Sequence, residues 1–234
     1  MDTRETKISR LPELEEVPKQ MVFFEIVTLL SLGVAVLALV LFAWIGDSVS
    51  HEKTRHFDSA VRMQVHQYAS PWMTKAMIAV SFLGQEGLAI AAIVALVVFL
   101  RLRWRRAALW LVTTIFGALV LDVTLKYAFH RPRPDPFFAP LPHTYSFPSG
   151  HALVSFCFYA VLAGLLARRT SSITLRILIW ICAILLVIAV GLSRIYLGVH
   201  YLSDVIAGYL AATIWVCAMI VLDRLRKKRK QDLQ

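Results

Sequence analysis

Three cations in this 234-residue chain stand at the ends of long apolar stretches: Lys126, Arg133 and Arg194. A buried cation without a partner is costly, and nearby carboxylates are few, so a multiply charged anion would balance them. Arginine offers a planar fork to phosphate oxygens and lysine a point charge. Ser149 and Gly150 follow a proline and open a predicted helix, whose terminal backbone amides favour an anion. The pattern predicts a phosphate site.

Two histidines supply the groups that could act on a bound phosphate. His200 and Asp204 are four residues apart at the start of the last apolar stretch, and residues with this spacing share a helix face. The carboxylate can then accept the Nδ1 proton, which leaves a lone pair on Nε2, as in a nucleophile oriented by an acid. His151 begins another helix on the opposite side of the predicted phosphate. We expect it to protonate the leaving alkoxide and later to activate water.

Each of these features has a simpler interpretation when it is taken alone. A single outward histidine is more often a surface residue, and lysine or arginine can extend to lipid headgroups. The segment from Pro148 to Gly150 could be only a turn and a helix cap. Three separate segments would, however, have to converge on one face by chance. The joint pattern therefore favours one site.

Two acidic residues near these segments have less certain roles. Asp122 precedes Lys126 by four residues, so a helical ion pair is its default interpretation. Glu86 starts the second apolar stretch on the outward side. It could cap that helix or contact the site, and we favour capping.

Six apolar stretches must position these residues. Hydrophobic residues make up 58% of the chain and come in long runs, and a helix of about 20 residues crosses a bilayer. The fold class predicted is all-α, an integral membrane bundle of six transmembrane helices in one domain, residues 21–222, between tails 1–20 and 223–234. The predicted spans cover residues 21–45, 85–100 (entered through 76–83), 107–127, 150–167, 173–196 and 202–222.

The basic residues predict the orientation of this bundle in a cell membrane. Seventeen of the 25 lysines and arginines fall in the two tails and in the loops after the second and fourth spans. Positive charge marks the cytoplasmic side, so we expect both termini there and the three chemical segments on the outer face. The basic C-terminal tail should bind anionic lipid at the cytoplasmic face. Clustering of the charge beside apolar runs does not indicate nucleic-acid binding.

The spacing of the motif residues carries a resemblance to a known family. Lys126 is followed by Arg133-Pro134, then by Pro148-Ser149-Gly150-His151, then by Ser193-Arg194 with His200 and Asp204. This order resembles the type-2 phosphatidic acid phosphatase superfamily of membrane lipid phosphatases, over about residues 107–222. No key residue departs from the family pattern.

The resemblance implies hydrolysis of a lipid phosphate through a phosphohistidine, with neither a metal nor another cofactor. It implies that His200 is the nucleophile, His151 the acid and Asp204 the orienting group. Polyprenyl diphosphate, phosphatidylglycerol phosphate and phosphatidic acid stay open as substrates. A lipid phosphotransferase using the same site and a non-enzymatic transporter of phosphorylated lipid stay open as alternatives. The residues implied to bind the phosphate are Lys126, Arg133, Ser149, Gly150 and Arg194.

Overall fold

The described part of the chain is built from eight helices joined by short loops. A computed structural model describes residues 19–138, 140 and 143–231, so most of the predicted N-terminal tail and residues 232–234 lie outside it. Regular structure in this part is entirely helical, which confirms the predicted fold class. The helices are α1 Lys19–Ser50, α2 Arg55–His66, α3 Pro71–Phe82, α4 Glu86–Arg101, α5 Arg105–Phe129, α6 Gly150–Ala167, α7 Ile173–Tyr196 and α8 Leu202–Gln231.

Six helical segments in the described residues are long and apolar enough to cross a membrane, as predicted. Five of them are single helices, and those of α6 and α7 have the predicted bounds. The sixth, Pro71–Arg101, combines α3 and α4, so it starts five residues before the apolar entry expected at residue 76. The helix α8 also extends beyond the predicted end at residue 222 and carries basic residues of the tail in helical form.

The interruption between α3 and α4 lies against the residues predicted to do chemistry. A Cβ on Gly84 would stand 2.5 Å from Val190 Cγ1 and 3.1 Å from the His151 ring, so only glycine fits this close approach. The Tyr159 hydroxyl donates a hydrogen bond of 2.7 Å to the Leu83 carbonyl, one of the groups that the break leaves without a helical partner. The break is thereby fixed beside the start of α6.

The helix α2 fills much of the polar stretch between the first two spans. It is strongly amphipathic: Asp58 on one face is fully buried, whereas Phe57 and Met63 are exposed. Exposed apolar residues opposite a polar face are typical of a helix that lies in the membrane interface. Helix α2 packs against α7 and α8, so its buried face reaches the loop that joins these two spans.

The helix α8 packs against α1, α5 and α6. Lipid is as apolar as a leucine side chain, so helices in a bilayer associate where small residues allow close packing. Ala207, Ala211 and Ala212 of α8 are buried in this core. Between them, a Cβ on Gly208 would come within 2.7 Å of the Ser149 carbonyl oxygen. This contact sets the position of the first turn of α6.

Candidate active site

The three predicted segments meet at one place, between the start of α6 and the loop from α7 to α8. His151, in the first turn of α6, is close enough to His200 for their charges to interact. The charges of Arg194, Lys126 and Arg133 also act on the His151 ring. Two imidazoles and three cations from separate parts of the chain therefore share one site.

The His200 ring is oriented by groups on both of its nitrogens. Nδ1 lies 3.4 Å from Asp204 Oδ2, and Nε2 lies 2.9 Å from Arg133 Nη1. A guanidinium can only donate, so Nε2 is the acceptor and the proton of a neutral ring is on Nδ1. Burial lowers the pKa of His200 to about 4, although the hydrogen bond that the ring donates to Asp204 opposes this effect. At neutral pH the ring is uncharged and its Nε2 carries a lone pair.

The Asp204 carboxylate is fully buried, and both of its oxygens accept hydrogen bonds. The Tyr201 amide donates to Oδ2 at 2.8 Å, and the Ser146 hydroxyl donates to the same oxygen. Arg131 Nη1 donates to Oδ1 at 2.6 Å. Sequence reasoning identified Asp204 but missed Ser146 and Arg131, whose roles depend on how the proline-rich loop folds back onto α8.

Asp58 of α2 is a second fully buried carboxylate near the site, and the sequence gave no signal for it. It accepts hydrogen bonds from Arg131 Nη2 at 2.8 Å, from the Ser203 amide at 3.0 Å and from the Ser203 hydroxyl at 2.6 Å. Burial alone would lower the pKa of Arg131, but the charges and hydrogen bonds of Asp204 and Asp58 raise it. Arg131 thus links the two aspartates.

The three predicted phosphate-binding cations differ in how they are held. Arg133 donates to the Thr144 carbonyl at 2.7 Å and to the Val199 carbonyl at 2.9 Å, and burial lowers its pKa. Lys126 forms the predicted ion pair with Asp122, at 2.7 Å. Arg194 donates through Nη1 to the Ser81 hydroxyl of α3. Its Nε is buried and has no hydrogen-bond partner among the described residues, so it is free to bind an anion.

The start of α6 differs in one respect from the expectation. The Ser149 amide donates to the Asp204 carbonyl at 2.9 Å, so it does not point towards a phosphate. The Ser149 hydroxyl is buried without a partner in the described structure and is the group left available. A Cβ on Gly150 would meet Asp122 Oδ1 at 2.7 Å, so a larger residue here would displace the carboxylate that pairs with Lys126.

Glu86 begins α4, two residues after Gly84, which lies against His151. It occupies the first turn of α4, and the N-cap position belongs to Gln85, whose side chain makes no capping hydrogen bond. The charge of Glu86 acts on Arg194. This interaction with one of the cations predicted to bind phosphate agrees with the alternative that the sequence analysis had favoured less.

Comparison with known proteins shows the family of this chain. The sequence profile of the PAP2 superfamily matches residues 107–228. The chain belongs to this superfamily. The matched range of the PAP2 superfamily includes all eight predicted site residues, whereas Asp58 and Glu86 lie before it.

Two relatives and one solved structure are similar to this PAP2 superfamily member. Phosphatidylglycerophosphatase B of Bacillus subtilis is 33% identical over 159 residues, which cover 65% of this chain and 76% of that protein. The undecaprenyl-diphosphatase of Sulfolobus acidocaldarius is 34% identical over 155 residues, with 62% and 68% covered. The crystal structure of a transmembrane PAP2 type phosphatidylglycerolphosphate phosphatase from Bacillus subtilis superposes with a TM-score of 0.71 and 24% identity. The superposition covers 86% of this chain and 97% of that one, and it shows a shared fold.

Proposed function

We propose that this chain is a membrane lipid phosphatase that hydrolyses a lipid phosphate or diphosphate through a phosphohistidine, without a metal ion. One observation carries the proposal: a neutral His200 presents Nε2 to a cluster of cations, while Asp204 faces its Nδ1. An imidazole with a lone pair on one nitrogen and a buried carboxylate at the other has the arrangement of a nucleophile. Membership of the PAP2 superfamily and the names of the relatives support the same class of reaction.

The first chemical step forms a bond between His200 Nε2 and phosphorus and breaks the bond from phosphorus to the lipid oxygen. For this step Arg133 must release Nε2 and donate instead to a phosphate oxygen. Lys126, Arg194 and the Ser149 hydroxyl stabilise the charge on the remaining oxygens. His151 donates a proton to the leaving lipid alkoxide, or to the leaving phosphate of a diphosphate.

The second step returns the enzyme to its starting state. His151, now without its proton, accepts one from a water molecule, and that water attacks phosphorus as the bond to Nε2 breaks. Inorganic phosphate leaves and His200 is neutral again. During the intermediate the imidazole carries positive charge, which the Asp204 carboxylate stabilises through Nδ1.

The proposed substrates are lipids with a terminal phosphate on the outer side of the membrane. The relatives are named for phosphatidylglycerol phosphate and undecaprenyl diphosphate, and phosphatidic acid has the same chemical group. We propose that both termini are cytoplasmic, with the basic end of α8 at anionic lipid, and that the membrane domain comprises residues 21–222. Cysteine accessibility labelling in intact cells tests this orientation, with Asp47→Cys and Leu233→Cys introduced one at a time. Only the cysteine at position 47 should react with a membrane-impermeant reagent.

A phosphate-release panel tests the activity. Purified protein in detergent, with EDTA present, is given each of the three lipids, and free phosphate is measured. His200→Ala should abolish release while the protein stays monodisperse, whereas His51→Ala, an exposed histidine near the outer end of α1, should leave release unchanged. Turnover that survives His200→Ala would rule out the covalent mechanism. Phosphate recovered on an added lipid alcohol, instead of free, would assign a phosphotransferase.

A second measurement looks for the intermediate itself. A p-nitrophenyl phosphate ester needs no proton on its leaving group, so His151→Ala should still form the phosphohistidine but hydrolyse it slowly. We expect an acid-labile, alkali-stable phosphoenzyme to accumulate in this variant. Its absence at times when p-nitrophenol has been released would show that water attacks phosphorus directly.

A further inference from the structure

A buried chain of charges connects the interfacial helix α2 to the nucleophile. Asp58 forms an ion pair with Arg131, and Arg131 forms a second ion pair with Asp204. Asp204 in turn faces His200. We propose that Asp58 is a positioning residue for the hydrolysis, which acts through Arg131 to fix the Asp204 carboxylate and preserve its charge. The proposal rests on the proposed function of His200 and adds a residue that lies outside the superfamily match.

The two oxygens of Asp204 face different partners. Arg131 Nη1 holds Oδ1 at 2.6 Å, and Oδ2 is left to face His200 Nδ1. Arg131 is itself held by Asp58 through its other terminal nitrogen, and the Tyr201 ring covers its guanidinium at 4.3 Å. A planar guanidinium fixed at both ends cannot rotate, so the plane of the Asp204 carboxylate is fixed as well.

The charges give Asp58 a second task. A lone Arg131 would cancel the charge of Asp204 when the attacking imidazole becomes cationic and needs that charge. With Asp58 included, the group of Asp58, Arg131 and Asp204 carries two negative charges and one positive charge, so it keeps a net negative charge on the Nδ1 side of His200. Both carboxylates are fully buried, and in such surroundings charges act more strongly than in water.

A purely structural role for Asp58 is the alternative that the experiment must separate. Its Oδ1 accepts from the Ser203 amide in the first turn of α8, where amides have no partner within the helix. Asp58 could therefore serve only to cap α8. Asparagine keeps an oxygen acceptor for the Ser203 amide, but its NH2 group cannot accept the hydrogen bond from Arg131. Asp58→Asn therefore preserves the cap and removes the link to Arg131.

The test compares Asp58→Asn with Asp47→Asn, which removes one exposed carboxylate near the outer end of α1. Phosphate release from a phosphatidylglycerol phosphate micelle is the assay. For Asp58→Asn we expect kcat to fall on the order of 100-fold, as for a misplacement of the reacting groups, with KM within about twofold because Asp58 does not touch the phosphate. Asp47→Asn should match the wild type. A wild-type kcat for Asp58→Asn would overturn the proposal.

A double-mutant cycle tests the route through Arg131. If Asp58 acts by neutralising and holding Arg131, its effect should shrink to about twofold once Arg131→Gln has removed the guanidinium. Effects that multiply independently would contradict this route. Asp58→Glu provides a measurement that does not depend on the folding of the asparagine variant: it keeps the charge and should retain kcat within about tenfold. A glutamate variant that folds but loses activity as fully as the His200→Ala protein also overturns the proposal.

These outcomes are distinct from a failure of the proposed function. The wild type would still release phosphate in a His200-dependent way if Asp58 had no catalytic role. Conversely, a wild type without phosphatase activity removes the basis of both proposals at once.

Discussion

The close contact between α8 and α6 at Gly208 predicts how far Gly208→Ala would displace the start of α6 and lower kcat. A Cβ at this position would lie 2.7 Å from the Ser149 carbonyl oxygen, 3.0 Å from Ala152 Cβ and 3.3 Å from the Leu153 amide nitrogen. Ordinary van der Waals contact starts at 3.4 Å, so Gly208→Ala should move the first turn of α6 by about 0.7 Å. These neighbours are mainly backbone, which cannot turn aside as a side chain can.

The displacement should affect activity more than stability. Overpacking costs roughly 1–3 kcal/mol, and alanine recovers up to about 1 kcal/mol through its better helix propensity. The net destabilisation expected is therefore on the order of 1 kcal/mol. His151 moves with the first turn of α6, and a misplacement of about 1 Å can reduce a rate 100-fold. For Gly208→Ala we expect kcat to fall on the order of tenfold or more.

A second glycine supplies the matched control. Gly164 lies in α6, and a Cβ there would have only Trp180 ring atoms at 3.8 and 3.9 Å, which is ordinary contact. Gly164→Ala should therefore keep wild-type kcat and the same or a higher thermal midpoint in detergent. Phosphate release and the loss of the monodisperse peak on heating measure the two quantities. Equal kcat values for Gly208→Ala and Gly164→Ala would refute the claim that this contact positions His151.

Two further predictions concern single groups of the site. Burial lowers the pKa of His200 to about 4, although the hydrogen bond donated to Asp204 raises it, so the ring should gain a proton only as the pH falls through about 4. Histidine NMR, with the signal assigned by its loss in His200→Ala, should show this inflection, and one at the ordinary value of 6.5 would contradict it. Ser149→Ala should leave stability unchanged, because its hydroxyl has no partner in the described structure, but should reduce kcat/KM about 10- to 100-fold if that hydroxyl donates to the phosphate. Ser155→Ala, which removes another buried hydroxyl of α6, should change neither quantity, and an equal loss of kcat/KM in both variants would show that the Ser149 hydroxyl has no special role.

The membrane spans and the motif residues were predictable because their signals are local. An apolar run long enough to cross a bilayer finds no water there for its backbone N–H and C=O groups. It therefore forms a helix, in which these groups bond one another. The spacing of Asp122 and Lys126 likewise predicted their ion pair, since residues four apart are neighbours on any helix. Such signals require no knowledge of the tertiary structure.

The supporting groups were not predictable because they depend on how distant segments pack. Asp58 stands alone in a polar stretch, and its burial results from the docking of α2 onto the loop before α8. The Ser149 amide was expected to face a phosphate, but the Asp204 carbonyl of a different helix takes it. The sequence does not show that the end of α3 lies against Arg194, which donates to the Ser81 hydroxyl, so it could not show that the charge of Glu86 acts on that cation.

The hydrogen bond between Arg133 and His200 has a consequence for inhibitor design. The nitrogen proposed to attack phosphorus, His200 Nε2, is engaged by the Arg133 guanidinium at 2.9 Å. An uncharged electrophile aimed at this histidine would have to displace that contact and offers the arginine nothing in exchange. A warhead that carries a phosphonate or a similar dianion draws the guanidinium to itself and uncovers the nitrogen in the same event.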